Sequence, residues 1–269
     1  MSPEEGLIRT RRDQLLARVQ DTLQADRSVS ASTSRLLNAQ HPADLAAVFR
    51  RLDEVTQQQA LLLLDESLAA DTLAEMDLPT MRRIMDQLND ETLADLVEEM
   101  EPDDAADVLK DLPEGKTQNV LARMEADEAA EVQTLLDHEE DTGGGIMTSR
   151  LVAVSQGSTV AEAIEVLQQS AEEEDVYYLY VVDQDYHLLG TVPLKRLLLV
   201  APDTPVYTLI QPEPIAVRTD MDQEAIAHLF TEYNLLALPV VDEKGTLVGR
   251  VTVDDIVDVI QAEATEDIY

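Results

Sequence analysis

The sequence predicts an α+β fold in two parts, an all-α superhelical domain over residues 1–142 followed by a pair of α/β domains. Before residue 143, apolar residues recur three and four positions apart, which is the period of an α-helix. After that point, short apolar runs alternate with helical segments, and one strand–turn–strand pattern occurs twice. The change in pattern predicts a domain boundary at the glycine run 143–145, which we interpret as a hinge.

Short helices in series account for the first part. Sequence breakers recur along it, among them His41-Pro42, Asn89-Asp90 and Glu101-Pro102. Proline suits the first turn of a helix, and acids there match the helix dipole. Several short helices in series predict a curved stack. The apolar positions expected to face its core are Leu45, Val48, Phe49, Leu52, Leu93, Leu96, Val97, Val108, Leu109 and Leu112.

An internal repeat defines the second part. Asp183 and Asp242 follow similar apolar runs and lie 59 residues apart, as do Gly190 and Gly249. The pattern of each unit predicts strand, helix, strand, hairpin turn, strand and helix. Gly245 lies in the hairpin turn of the second unit, at a position that favours a positive φ. The elements predicted for the second unit are Ile215–Val217, Asp222–Tyr233, Ala237–Val241, Leu247–Val251 and Asp254–Ala262.

The composition excludes several classes of protein. The formal charge is −36, from 55 acids against 19 Lys and Arg, so the chain repels nucleic-acid phosphates and we expect no nucleic-acid partner. The absence of cysteine excludes disulfides and thiolate metal sites. The apolar runs are far shorter than the roughly 20 residues of a membrane helix, so we expect this polypeptide by itself to be soluble.

Catalysis finds little support in the sequence. The four histidines are scattered through different predicted elements, at positions 41, 138, 187 and 228. Phosphate-loop, nucleophile-elbow and His-Glu-x-x-His motifs are all missing. We therefore expect the chain not to be an enzyme.

Acids are concentrated in two segments. Residues 86–141 contain 20 acids and three bases, and residues 254–269 contain six acids and no base. Like charges one helical turn apart destabilise a helix by roughly 0.2–0.5 kcal/mol a pair, and a bound cation would relieve that repulsion. A carboxylate-only site suits Mg²⁺, Ca²⁺ or Mn²⁺ rather than zinc, and without an EF-hand loop we prefer Mg²⁺. A solvated surface and adaptation to salt remain alternatives.

Three segments together resemble one known family. The repeated unit is similar to a CBS domain. The segments 101–109 and 140–148 resemble the junction between the N domain and the CBS pair of MgtE-type magnesium channels, and the segment 251–268 resembles the end of that cytosolic portion. The match covers essentially the whole chain.

The resemblance implies an organisation and partners. It implies an N domain over 1–142, CBS domains over 143–206 and 207–262, and the start of a connecting (plug) helix over 263–269. That helix would lead to a transmembrane pore domain absent from this chain. The family further implies a homodimer through the CBS pairs, on the cytoplasmic side of the bacterial inner membrane.

The resemblance also implies which acids bind Mg²⁺. In the family, Mg²⁺ bridges the N domain to the second CBS domain, and the CBS pair to the connecting helix. Matching the motifs implies ligands at Glu91, Asp95, Asp255, Asp258, Glu263, Glu266 and Asp267, with less secure matches at Glu224 and Asp71. Asn234 stands where the family has an acid, which argues against an ion near Glu224 at the dimer interface.

A nucleotide site is the second expectation from the resemblance. CBS pairs often bind ATP or AMP, with Ser/Thr-x-x-Asp at the start of the last helix holding ribose and phosphate. Thr252-x-x-Asp255 fits this pattern, whereas the first unit has Arg196 in the place of the aspartate. Lys195 or Arg196 would then pair with a phosphate, and Tyr178 would stack on adenine or pack in the core.

Three functions are therefore in competition. The first is a Mg²⁺-sensing regulatory region, in which bound ions hold the helical domain and the CBS pair in a compact state that closes the pore. The second is an adenine-nucleotide-sensing module. The third is an acidic helical scaffold for protein docking, since the helices of residues 40–142 resemble such repeats, including those of flagellar motor switch proteins.

Overall fold

The computed structural model describes residues 3–25, 31–170, 176–210 and 214–266. The chain separates into two compact units, Met1–Ala130 and Glu131–Tyr269, and each is considered by itself. Across the described ranges, no helix combines the length and the apolar character needed to cross a bilayer. The boundaries expected after residues 142, 206 and 262 remain predictions.

Helices build the first unit. Their bounds are α1 Pro3–Ala25, α2 Ala31–Leu37, α3 Pro42–Phe49, α4 Glu54–Leu61, α5 Glu66–Ala74, α6 Leu78–Met85, α7 Asp90–Glu98, α8 Pro102–Lys110 and α9 Glu114–Leu121. A further helix, α10 (Ala126–Leu136), begins in the first unit and ends in the second.

The helices start where the sequence breakers predict. α3 and α8 begin at their prolines, which lose no hydrogen bond in a first turn. Asn89 caps α7 by accepting from the amides of Glu91 and Thr92, both at 3.0 Å. Such a cap satisfies backbone donors that otherwise have no partner inside the helix.

Alternate helices pack on each other in the first unit. α3 packs against α5, α5 against α7 and α7 against α9, while α4 packs against α6. All ten apolar positions predicted to face the core are buried, with Leu45, Phe49, Leu93 and Leu109 at 0% exposure. The stacking confirms the predicted helical N-terminal domain.

Two similar three-stranded sheets form the second unit. The first contains β1 Ala153–Ser155, β2 Tyr178–Val182 and β3 Leu188–Pro193, and the second contains β4 Val217–Arg218, β5 Ala237–Val241 and β6 Leu247–Thr252. In each sheet the first pair of strands is parallel and the second pair is antiparallel. The helical elements are α11 Val160–Ser170, α12 Leu194–Leu197, a 3₁₀ helix Val206–Leu209, α13 Gln223–Tyr233 and α14 Val253–Glu266.

The repeated topology confirms the predicted tandem α/β pair. The two hairpin turns also pair with each other, because Leu188 N donates to Gly245 O at 3.2 Å and Leu247 N donates to Tyr186 O at 3.0 Å. Gly245 has φ +86°, a conformation that favours glycine, as the turn pattern predicts.

The interpretation of residues 143–145 as a hinge is wrong. Gly143 N donates to Met221 O at 2.7 Å and Gly144 N donates to Thr219 O at 2.8 Å. A Cβ built on Gly143 would lie 2.5 Å from Arg218 O. Gly143 therefore permits close approach to a segment distant in the sequence, which a glycine run in the sequence does not reveal.

Candidate functional site

The start of α14 forms a hydrogen-bonded pair of side chains. Thr252 Oγ1 donates to Asp255 Oδ2 at 2.6 Å, and the Thr252 amide approaches the same oxygen at 3.4 Å. Thr252 is buried and Asp255 is half-buried. An acid on the first turn that reaches back to the preceding Ser or Thr stabilises the helix start. The predicted motif is therefore assembled, and it already has a structural role.

The remaining acids of the C-terminal cluster are described to different extents. Asp254 is exposed beside Asp255. Asp258, Glu263 and Glu266 belong to α14, but their side chains lie outside the described part of the chain, and Asp267 lies outside the described residues altogether. The helix places residue 258 one turn after Asp255.

Two predicted ligands of the first unit share one face of α7. Glu91 and Asp95 are four residues apart in this helix, and both are exposed. Side chains at this spacing are neighbours on the helix surface. The nearby Asp90 is held 4.0 Å from Arg123, while no salt bridge joins Glu91 or Asp95 to a base within the described residues. The face therefore offers two carboxylates to a cation.

The two less secure candidates lie in different units. Asp71 is on α5, where desolvation raises the pKa of its carboxyl and nearby His41 opposes that rise. Glu224 is exposed in the first turn of α13, and its amide donates to Asp222 Oδ1 at 2.9 Å. Neither has a second acid from the predicted set beside it on its own helix.

The first repeat differs from the second at the equivalent helix start. Pro193 precedes α12 and makes no side-chain cap. Arg196 Nη1 donates to the carbonyl oxygen of Leu209 at 3.1 Å, which ties α12 to the 3₁₀ helix. Lys195 is exposed. The Arg196 guanidinium is thus engaged with the backbone, a contact that its position in the sequence did not indicate.

Tyr178 lies at the start of β2 and is half-buried. It packs against a small apolar cluster formed by Tyr180, Val182 and Leu247. Since Leu247 belongs to β6, this cluster joins the two repeats. Tyr178 thus packs in the apolar cluster with part of its side chain accessible, and its stacking on adenine stays a prediction.

One set of potential ligands was missed by the sequence analysis. Asp183, Asp185 and His187 bring their ligand atoms within 4.8 Å of one another, the one such group found among the described residues. Asp183 Oδ1 accepts from the amides of Asp185 and His187, both at 2.9 Å, which lowers the pKa of Asp183. Asp242 organises the matching turn of the second repeat in the same way, with amides of Lys244 and Thr246. The repeated arrangement explains the cluster as turn structure.

Comparison with known proteins assigns both parts of the chain to known domain families. Residues 40–141 match the model of the MgtE intracellular N domain, and residues 144–203 and 206–262 match the CBS domain. A crystal structure of the cytosolic domain of the Mg²⁺ channel MgtE in complex with ATP is 36% identical, with a TM-score of 0.86 over 91% of this chain and 99% of that one. The chain belongs to the MgtE family.

Other MgtE relatives agree with this placement. The soluble part of a magnesium transporter is 32% identical, with a TM-score of 0.85 over 94% of this chain and 99% of that one. Magnesium transporters MgtE of Thermus thermophilus and Bacillus subtilis are 48% and 41% identical over 51% of this chain. The matched part covers 31% and 30% of those two relatives, so the chain aligns with about a third of their length.

Asn234 of this MgtE chain, where the resemblance implies an acid, has a structural role at a helix end. The residue ends α13 in the left-handed conformation, with φ 51° and ψ 50°, and its amide donates to Phe230 O. Asparagine tolerates that conformation better than most residues do. The position therefore has a helix-capping role that needs no metal.

Proposed function

We propose that this chain is the Mg²⁺-sensing regulatory region of a magnesium channel or transporter. At high Mg²⁺, ions bound between the acidic faces of the N domain, the CBS pair and the connecting helix favour a compact state in which the pore is closed. At low Mg²⁺, repulsion between those faces favours the extended state. Membership of the MgtE family supports the proposal, and its relatives are described as magnesium transporters.

The observation that carries the proposal is the exposed acidic face of α7. Glu91 and Asp95 stand four residues apart on this helix, with no salt bridge to a described base. The chain as a whole carries a formal charge of −36, so a second acidic surface is repelled from this face, and a cation between the two surfaces would relieve the repulsion. Asp254 and Asp255 at the start of α14 supply acids of the required kind.

Carboxylate oxygens are the donors that suit Mg²⁺. The ion takes oxygen ligands near 2.1 Å, keeps several of its waters, and is commonly held by only one or two carboxylates. It therefore bridges two surfaces without a dedicated cage. A ligand that binds one of two conformations better shifts the population towards that conformation by its difference in affinity.

The proposal extends to the rest of the molecule. The regulatory region acts as a homodimer through its CBS pairs, on the cytoplasmic side of the bacterial inner membrane, and controls a transmembrane pore domain of the same polypeptide. It performs no catalysis. The match to a cytosolic domain of the Mg²⁺ channel MgtE, over 99% of that chain, supports the cytoplasmic location and the link to a pore.

Limited proteolysis across a Mg²⁺ titration tests the function. We expect cleavage to slow between EDTA and about 10 mM Mg²⁺, because the compact state protects exposed segments. The Asp255→Asn/Asp258→Asn variant should lose most of this protection. The matched control is Asp203→Asn/Glu165→Gln, which removes the same charge from two exposed acids elsewhere in the second unit and should retain the protection. Equal cleavage of the unmodified protein with and without Mg²⁺ would rule out the sensor.

An adenine nucleotide is the second candidate ligand. The paired Thr252 and Asp255 side chains support it, as does the relative described in complex with ATP. The first repeat offers no such pair, since Pro193 and Arg196 stand in the places of Thr252 and Asp255. Calorimetric titration with ATP should therefore give weaker binding in Asp255→Ala than in Arg196→Ala. The opposite order would exclude the second repeat as the ribose site.

A further inference from the structure

The segment that follows α10 runs along the second repeat of the CBS pair. The amide of Gln223 donates to Asp141 O at 2.9 Å, and the amides of Gly143 and Gly144 donate to Met221 O and Thr219 O at 2.7 and 2.8 Å. These partners flank the short strand β4 and the start of α13. The chain is therefore bonded to the second repeat before it enters the first.

The same segment is bonded to the last strand of that repeat. Thr148 N donates to Arg250 O, and Arg250 N donates to Thr148 O, both at 2.9 Å. Thr148 is 1% exposed and Arg250 is 2% exposed, so water does not compete for these bonds. Residues 141–148 thus contact both edges of the second repeat's sheet, next to β4 on one side and at β6 on the other.

Close packing holds the segment in place. A Cβ on Gly144 would lie 2.5 Å from Nδ1 of His138, and a Cβ on Gly145 would meet the carbonyl oxygen of Glu139. On the partner strand, a Cβ on Gly249 would lie 2.7 Å from Sδ of Met147. None of these three glycines has a positive φ, so each is required for close approach.

The end of α10 is fixed to this segment as well. His138 packs over Gly144, and its amide donates to Leu135 O at 3.1 Å. Ser149 Oγ donates to Glu131 Oε1 at 2.5 Å. Val132 and Leu135 of α10 are 4% and 1% exposed. The last turns of α10 and residues 138–149 therefore form one packed body.

We propose that residues 138–149 are a rigid brace through which the second CBS repeat holds the C-terminal half of α10. Any displacement of the second repeat then carries the end of α10 with it. Because β6 continues through Thr252 into α14, the brace connects the helix that bears the C-terminal acids to the C-terminal half of α10, within the second unit. The inference goes beyond the proposed function, since it holds whether or not Mg²⁺ binds.

A distance measurement between two spin labels tests the brace. The chain has no cysteine, so Gln133→Cys on α10 and Lys244→Cys in the second hairpin introduce the two thiols to be labelled. Both positions are exposed. We expect one narrow distance distribution that is unchanged between EDTA and about 10 mM Mg²⁺. A broad distribution, or one that shifts with Mg²⁺, would overturn the brace.

Glycine substitutions supply the matched comparison. Gly144→Ala/Gly145→Ala should broaden or shift the distribution, because neither Cβ fits. Gly157→Ala should leave it narrow, since its Cβ would meet nothing closer than Ser155 Oγ at 3.9 Å. A double variant that kept the narrow distribution would also contradict the proposal.

Hydrogen exchange of the unmodified protein covers the case in which the double variant fails to fold. We expect the amides of Gly143, Gly144 and Thr148 to exchange at least about 100-fold more slowly than that of Gly157, which is exposed. Equal rates would overturn the brace. A protein with a narrow label distance but no Mg²⁺ protection would retain the brace and lose the proposed function, so the two failures are distinguishable.

Discussion

Arg196 donates from Nη1 to the carbonyl oxygen of Leu209 at 3.1 Å, at the helix start where the second repeat instead pairs Thr252 with Asp255. The two repeats therefore share a sheet topology but differ in the chemistry of one equivalent position. In the first repeat this position joins two secondary elements, and in the second it caps a long acidic helix.

The Arg196 contact should contribute to the stability of the second unit. Arg196→Ala removes a charged donor from the Leu209 carbonyl, and we expect the free energy of unfolding to fall by about 1 kcal/mol. Urea denaturation followed by circular dichroism measures the change. Lys195→Ala, at the neighbouring exposed position, is the control and should cost much less. Equal losses for the two variants would contradict the assignment.

The hydroxyl of Thr252 should stabilise the start of α14. Thr252→Val keeps the shape of the side chain but removes the donor to Asp255, so we expect a loss of about 1 kcal/mol in thermal or urea unfolding. Thr252→Ser retains the hydroxyl and should lose less. If valine and serine were equally well tolerated, the hydrogen bond would carry no stability.

The left-handed conformation of Asn234 predicts an unusual order of substitutions. Asn234→Ala should destabilise the protein by about 1 kcal/mol, because a Cβ without a local hydrogen-bonding group is strained at φ 51°. Asn234→Gly should be neutral or stabilising, since glycine adopts this conformation freely. Thermal unfolding measures both variants. An alanine variant as stable as the glycine variant would show that the helix end is not constrained.

Asp183 should make stability depend on pH in the acid range. The hydrogen bond from the backbone amide of His187 is the main cause that lowers the pKa of Asp183 below its ordinary value of 3.8. Desolvation of the carboxyl opposes this shift. A lowered folded-state pKa means that the contribution is fully present above that ordinary value and is lost as the pH falls through the folded pKa. Asp183→Asn cannot titrate. The difference in melting temperature between the unmodified protein and Asp183→Asn should therefore change as the pH is lowered below the ordinary value of 3.8; a constant difference would contradict the assignment.

Local signals in the sequence predicted most of the fold. Prolines and capping residues marked the starts of α3, α7 and α8, and the apolar spacing identified buried residues such as Phe49 and Leu93. Helix starts and turns depend on neighbouring residues, so a single sequence reveals them. The predicted strands Ala237–Val241 and Leu247–Val251 match β5 and differ from β6 by one residue at its end.

Contacts between distant residues could not be predicted in the same way. The glycine run was interpreted as a hinge because Arg218, which crowds Gly143, lies more than 70 positions away, and the amides of Gly143 and Gly144 bond to residues equally distant in the sequence. The partner of Arg196 was missed for the same reason, since Leu209 belongs to a different element. The Thr252–Asp255 pair was found because both residues lie in one helical turn.

Small-angle X-ray scattering across a Mg²⁺ titration measures whether bound ions make this regulatory region compact. We expect the radius of gyration to fall between EDTA and about 10 mM Mg²⁺. The fall should be lost in Asp255→Asn/Asp258→Asn and retained in Asp203→Asn/Glu165→Gln. A radius of gyration that stayed the same throughout the titration of the unmodified protein would show that Mg²⁺ does not control the conformation.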